Sequence, residues 1–343
     1  MTRKPVLLAC VGALAFAMAL PAGDDEAKQD TSKKKKDNVE AIGEREVDGS
    51  LNFYSIEKEI AMGRQFAEEI ERQAKIVTDP MVAEYVNRVG QNLVRHSDAK
   101  VPFTFKVIES PEVNAFALPG GFCFVNTGLL MEADTEAEMA GVLAHEIAHV
   151  AARHGTRQAS RGQIANLATI PLVILTGGWA GYGIQQAANI AIPAAFMQFS
   201  RGFEREADFL GLQYLYAAGY DPTAFVDFFE KLAAMRKTKP GALASVFSSH
   251  PMTDDRITAA QSEMQEILPK KPEYLVTTSE FLKVKDRITY LLDPRNQAEG
   301  KDDQPRIRRV RRGEVIRPPS EEPAEQSEEP GEDERPVLRR PRQ

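Results

Sequence analysis

Apolar residues recur at three- and four-residue intervals along most of the patterned chain, and alternate with polar ones in only one short region. Behind Ser55, a candidate cap, Ile56, Ile60, Phe66 and Ile70 form one stripe over 55–75; after Thr78-Asp79-Pro80, Val82, Tyr85, Val86, Val89 and Leu93 form another. Both predict packing helices. Residues 103–109 (FTFKVIE) alternate like a half-buried strand, and 122–126 predict a second. Between them, 114–121 end in Pro-Gly-Gly; the bland account is a hairpin with a wide turn, and the functional one makes one of the two strands an edge beside helix 136–155, with unpaired backbone for an extended peptide. The strongest helical pattern is 136–155, EAEMAGVLAHEIAHVAARHG, with Thr135 as its cap, Glu138 completing a capping box and Gly155 as its stop. Further helices are expected from Ser200 to 217 or 218, after Asp221-Pro222, over 253–268 and once within 275–292. The fold class is α+β, mainly helical, with a small antiparallel sheet covering helix 136–155.

The chain ends add expectations of a different kind. Arg3 and Lys4 precede an apolar run over 6–20 and a small-residue cleavage site at Pro21-Ala22-Gly23, so 1–22 read as an export signal, with an uncleaved anchor as the alternative. The expected location is periplasmic. Residues 23–50, with a lysine run at 33–36, read as a flexible charged linker, 51–292 as the folded domain, and 293–343 as a disordered polar tail. The apolar stretch 164–197 is interrupted by Pro171, Gly177, Gly178, Gly181, Gly183 and Pro193, too often for a spanning helix. It reads as a pair of buried helices, or as a lid or loop making peripheral membrane contact.

With 43% apolar and 27% charged residues, the 343-residue chain can bury a large core, and its formal charge of −7 offers nucleic acid no basic field. Once Cys10 leaves with the signal, Cys123 is alone; it reads as a small apolar strand residue, with no disulfide to form.

Candidate chemistry centres on His145-Glu146-Ile147-Ala148-His149. Histidines four apart stack on one helical face and can converge on a metal ion, while Glu146 beside them can take a proton from water. Two satisfied helix histidines would be the bland account. The apolar surroundings of this helix argue against it, because buried imidazoles and a carboxylate are costly unless something binds them. A third ligand is sought in Ser200-Arg201-Gly202-Phe203-Glu204-Arg205-Glu206-Ala207-Asp208. Glu204 and Asp208 share a face there and Glu206 points elsewhere, so Glu204 is preferred as the ligand, with Asp208 behind it accepting from a ligand histidine. His96, at a helix end, and His250, isolated before a proline, read as solvated on position alone.

Four ordered segments resemble one family: NAFALPGGFCFVNTGLL (114–130), HEIAHVAARH (145–154), SRGFEREAD (200–208) and SHPMTDDR (249–256). Over residues 55–292 the chain is similar to the bacterial BepA-like branch of the gluzincin metalloproteases, which also includes HtpX, Oma-type inner-membrane proteases and CAAX prenyl proteases. The resemblance implies zinc ligands His145, His149 and Glu204, general base Glu146, and Asp208 as support. It further implies that His250 lies near the metal, coordinating it in a latent state or steadying the oxyanion. His154 matches the family's helix but lies off the ligand face, and reads as structural or supporting. Members often continue into tetratricopeptide repeats, whereas a polar tail follows residue 292 here.

The expected function is a zinc-dependent metalloendopeptidase with one Zn2+ per chain, acting on misfolded or misassembled cell-envelope proteins. Extended substrate would pair with backbone around Asn114, Ala115, Phe116, Gly120, Gly121 and Phe122. A chaperone-like binding protein with a latent, rarely active zinc site is the alternative. A purely structural zinc is disfavoured by a ligand set that leaves one position open.

Overall fold

Ser55 and Asp79 each accept a first-turn N–H, from Lys58 and Val82 at 3.3 Å, and so start α1 (Ile56–Gln73) and α2 (Pro80–Arg95) where the apolar stripes predict them. The computed structural model describes residues 37–49, 51–163, 199–235, 250, 253–299 and 337–339. The expected signal at 1–22 and the apolar stretch 164–197 lie outside those residues.

Three strands follow: β1 (Thr104–Ile108), β2 (Ala115–Leu118) and β3 (Phe122–Asn126), in the order β1-β3-β2. β3 is antiparallel to β2 but parallel to β1, so the sheet is mixed and not antiparallel as expected. The cause lies in 114–121. That stretch supplies a strand of its own, and the hairpin closes at Gly120 and Gly121, whose φ values of +79° and +94° suit glycine. The short 109–114 connection sets β1 and β2 in opposite directions; β3 reverses once more into the gap between them, and must run with β1.

α3 (Thr127–Glu132) leads to α4 (Glu136–Ala151), whose every residue but Val142 is buried. Thr135 Oγ1 accepts the Glu138 N–H at 3.2 Å, and Glu138 Oε2 reaches back to accept the Asp134 N–H at 2.8 Å. α4 stops four residues short of Gly155. Arg153 takes a left-handed φ of +55°, and a new helical segment, α5, runs over 154–163. Side-chain contacts far from the helix hold that break: Arg153 donates to Glu59 Oε2 (2.8 Å) and to the Tyr54 carbonyl (2.6 Å), and Arg157 donates to the Ala152 carbonyl (3.0 Å).

α6 (Arg201–Ala217), capped by Ser200, packs along α4, and α7 (Thr223–Met235) buries Phe225, Phe228, Phe229 and Leu232 against it. Each such side chain contributes roughly 1.5–3 kcal/mol by leaving water. α8 (Asp254–Glu266) crosses both. The helix expected within 275–292 is α9 (Ser279–Leu292), and β4 (Tyr274–Thr277) precedes it, because a short aromatic and β-branched run comes before the Thr278 cap. Two elements fall inside the segment expected to be a structureless tail: α10 (Pro294–Glu299) and β5 (Val337–Arg339), which pairs antiparallel with β4.

The expected linker is also packed where it is described. Val47 joins the core, and buried Arg45 donates to Asp98 (2.6 Å) and to Gln213 (2.6 Å). Charge compensation by Asp98 is what lets a polar segment bury an arginine. Among the described residues, no helix is long and apolar enough to cross a membrane.

Candidate metal centre

Two helices face each other at the site. α4 presents His145 and His149 one turn apart, and α6 presents Glu204 and Asp208 one turn apart opposite them. Close approach is possible because Gly211, next along that face of α6, lies against the His145 backbone. His250 enters from the chain just before α8, and Arg256 from its first turn.

Ligand atoms of His145, His149, Glu204 and His250 all lie within 4.8 Å of one another, and all four residues are buried. His145 Nε2 is 3.0 Å from His149 Nε2 and 3.3 Å from His250 Nδ1. Glu204 is 3.6 Å from His145 Nε2, 3.5 Å from His149 Nε2 and 3.1 Å from His250 Nδ1. A tetrahedral ion with bonds near 2.0–2.1 Å would set its ligands roughly 3.3 Å apart. The donor set therefore fits a metal of that size. Two imidazole nitrogens 3.0 Å apart need either the N–H of one ring or a metal ion between them, since two lone pairs would repel.

The surrounding charges are organised around this cluster. Arg256 clamps both carboxylates, with Nε and Nη2 donating to Asp208 at 2.6 and 2.7 Å and Nη1 lying 2.9 Å from Glu204 Oε2. Asp208 Oδ1 in turn lies 3.0 Å from His145 Nδ1. Burial alone would lower the His145 pKa; hydrogen bonding to Asp208 and Glu204 outweighs it and holds the ring up to about 9. Burial resists ionisation of Glu204 and Asp208 as well, yet hydrogen bonds hold both low, from His145 and His250 for the first and from Arg256 and His145 for the second. His149 is pushed well down by burial and by the charge of His145.

Glu146 lies on the strand side. Its Oε2 accepts the Ala117 N–H at 3.0 Å, and its Oε1 is 3.4 Å from His250 Nε2. Burial pushes its pKa up, against the neighbouring His250 and His145 charges. β2 is the sheet edge beside it. Because the Asn126 N–H donates to the Asn114 carbonyl across the ladder, alternation turns the backbone groups of Ala115 and Ala117 away from β3.

Of the residues expected to meet substrate, Asn114 and Ala115 line a cavity with His145, Glu146, His250 and Phe229. The others lie elsewhere. Phe116 stacks on Phe124 (5.3 Å) across the sheet, Gly120 lies against Ile60, Gly121 against Pro102, and Phe122 packs near Gly63 of α1. Period-two alternation sends Phe116 to the opposite face, and the hairpin tip docks on α1. His250, expected to be solvated on position alone, is 6% exposed, with its Nδ1 3.3 Å from His145 Nε2. Arg256 had no assigned role, although it ends the 249–256 motif; a guanidinium 4% exposed requires carboxylate partners, and these are the two of α6. His154, expected off the ligand face of a continuous helix, is brought back to His149 by the break at Arg153, with Nδ1 atoms 3.0 Å apart.

The model of peptidase family M48 matches residues 80–264, more than half of the chain and the whole of this site. The chain belongs to peptidase family M48. Its M48 domain is that of a metalloprotease. Beta-barrel assembly-enhancing protease of Yersinia pestis is 31% identical over 68% of this chain and 49% of its own length; its Escherichia coli K12 counterpart is 31% identical over 63% and 45%. Mitochondrial metalloendopeptidase OMA1 of Arabidopsis thaliana is 37% identical over 47% of this chain and 32% of its own. The chain spans about half the length of the bacterial M48 relatives it matches.

Proposed function

We propose that this M48 protein is a zinc-dependent endopeptidase, holding one Zn2+ per chain and acting on misfolded or misassembled cell-envelope proteins. The observation that carries the proposal is the convergence of His145, His149, Glu204 and His250 at ligand spacings, with Glu146 beside them. Nitrogen and carboxylate donors at these spacings suit zinc. When bound, zinc polarises the scissile carbonyl and brings the pKa of water to about 7. Glu146 accepts the proton of the attacking water and passes it to the departing amine, placed for this by the bond from the Ala117 N–H to its Oε2. The outward backbone groups of Ala115 bind an extended substrate beside Glu146.

His250 supports a latent resting state. Its Nδ1 lies 3.3 Å from His145 Nε2 and its Nε2 lies 3.4 Å from Glu146 Oε1, so it would join the residues holding a zinc while covering the base. A catalytic zinc keeps one position open. His250 therefore moves aside when substrate enters. The same observation favours a second reading, a chaperone-like binding protein whose site rarely opens.

The site of action is inferred from the export pattern of 1–22 and from the relatives named for assembling β-barrels. The apolar segment 164–197 is the candidate for peripheral membrane contact.

Zinc content and cleavage of unfolded casein, measured on wild type, Glu146→Gln and His250→Ala, test the proposal. Zinc near one per chain, cleavage lost in Glu146→Gln with metal retained, and cleavage raised in His250→Ala would support it. Bound zinc without cleavage by any variant would favour the binding protein, and a wild type that takes up no zinc would defeat the site itself.

A further inference from the structure

Ligand histidines are usually steadied by a carboxylate or carbonyl at the outer ring nitrogen. His145 follows that habit with Asp208. His149 meets a second imidazole instead: its Nδ1 is 3.0 Å from His154 Nδ1, His154 Nε2 is 3.1 Å from Glu206 Oε2, and Arg157 Nη1 donates to that same oxygen at 3.1 Å. Between two neutral imidazoles only one can donate. A ligand His149 keeps Nε2 as a lone pair, so its proton sits on Nδ1 and is donated to His154. His154 then accepts at Nδ1, carries its own proton on Nε2 and donates it to Glu206. Each link has one donor and one acceptor, and the opposite tautomer of His154 would set two N–H groups against each other.

We infer that His154, backed by Glu206 and Arg157, is a positioning residue that fixes the tautomer and ring plane of His149 and thereby sets the affinity of the site for its metal. The inference rests on the proposed zinc ligation by His149.

The backbone is shaped to bring this contact about. On an unbroken helix residue 154 would lie about 140° round the axis from His149 and could not meet it. Arg153, at φ +55° and tied to Glu59 and to the Tyr54 carbonyl, turns the chain so that the first residue of α5 comes back beneath His149. Phe203 stacks on the His154 ring at 4.5 Å, with Arg157 over its own ring at 4.8 Å, so His154 has little freedom to rotate. Glu206 carries its load here and not at the metal.

The test is the zinc dissociation constant of the full chain, measured by competition with a chelating dye, for wild type, His154→Leu, His154→Asn, Glu206→Leu and Glu206→Gln. His154→Leu removes the acceptor and should weaken zinc binding roughly 10- to 100-fold. His154→Asn, whose amide oxygen can accept from His149 Nδ1, should recover most of that loss. Glu206→Leu should weaken binding in the same direction without altering the buried rings, and Glu206→Gln, which keeps an acceptor, should not. Nitrogen NMR of the zinc-loaded protein should place the His149 proton on Nδ1 in wild type. A folded His154→Leu that holds zinc as tightly as wild type would overturn the inference while leaving the metal site intact. So would His154→Asn as weak as His154→Leu, or Glu206→Gln as weak as Glu206→Leu, since packing or bare charge would then be the cause. If His154→Leu does not fold, the Glu206 pair decides. A wild type that binds no zinc would overturn the ligand assignment and this inference together.

Discussion

Gly211 of α6 rests directly on the backbone of His145: a Cβ at Gly211 would stand 2.9 Å from the His145 Cα and 3.0 Å from its nitrogen. Alanine in a helix interior normally stabilises relative to glycine by roughly 0.5–1 kcal/mol. Here the clash is with backbone, which cannot swing away, and it would push α6 off α4. Gly211→Ala should therefore destabilise the protein by about 1–3 kcal/mol, read as a lowered urea midpoint. It should also reduce zinc retention on dialysis, because Glu204 rides on the displaced helix.

Arg256 is the counter-charge for two buried carboxylates. Arg256→Leu removes the guanidinium that Glu204 and Asp208 share, leaving His145 and His250 as their remaining partners, and should cost about 3–5 kcal/mol in the metal-free protein. Arg256→Lys should recover only part of this, since a single ammonium cannot span three carboxylate oxygens. Denaturant unfolding of both variants checks the order.

Removing metal should lower stability, and the loss should depend on pH. A ligand that binds only the folded state at 1,000 times its dissociation constant contributes about 4 kcal/mol. Calorimetry with and without chelator should show a lower unfolding temperature that recovers on adding zinc. In the metal-free protein His145 is held up to about 9, above its ordinary value of 6.5, by Asp208 and Glu204. Its pairing therefore stabilises that form fully below about pH 6.5 and fades as pH rises through about 9. Zinc must displace that proton, so apparent zinc affinity should increase over the same interval; an affinity flat from pH 7 to 9 would contradict it.

Arg153 stands in a left-handed conformation that costs an ordinary residue about 1 kcal/mol or more. Arg153→Gly relieves the backbone but removes the bonds to Glu59 and Tyr54. The bonds should weigh more, because Glu59 is buried; thermal unfolding should begin earlier in the glycine variant.

What the sequence disclosed was whatever depends on residues near one another along the chain. The caps at Ser55 and Thr135 follow from the residue types at the helix starts, and the stacking of His145 on His149 and of Glu204 on Asp208 follows from periodicity. What stayed hidden depends on contacts between distant residues. The end of α4 at Ala151 is enforced by Glu59 and Tyr54, and no pattern within 136–155 announces it. Arg45 looked like part of a charged tether because its partners, Asp98 and Gln213, lie far along the chain. β2 was hidden by its brevity.

That brevity has a consequence for how long a visitor stays. An open sheet edge ordinarily recruits any extended chain nearby, another copy included. β2 is 4 residues long, and one of its outward N–H groups, that of Ala117, is already held by Glu146. A strand arriving there finds Ala115 and little else to pair with, too few bonds to seed self-association or to keep a cleaved product. A chain that paired only there, as proposed for the substrate, would leave as easily as it came.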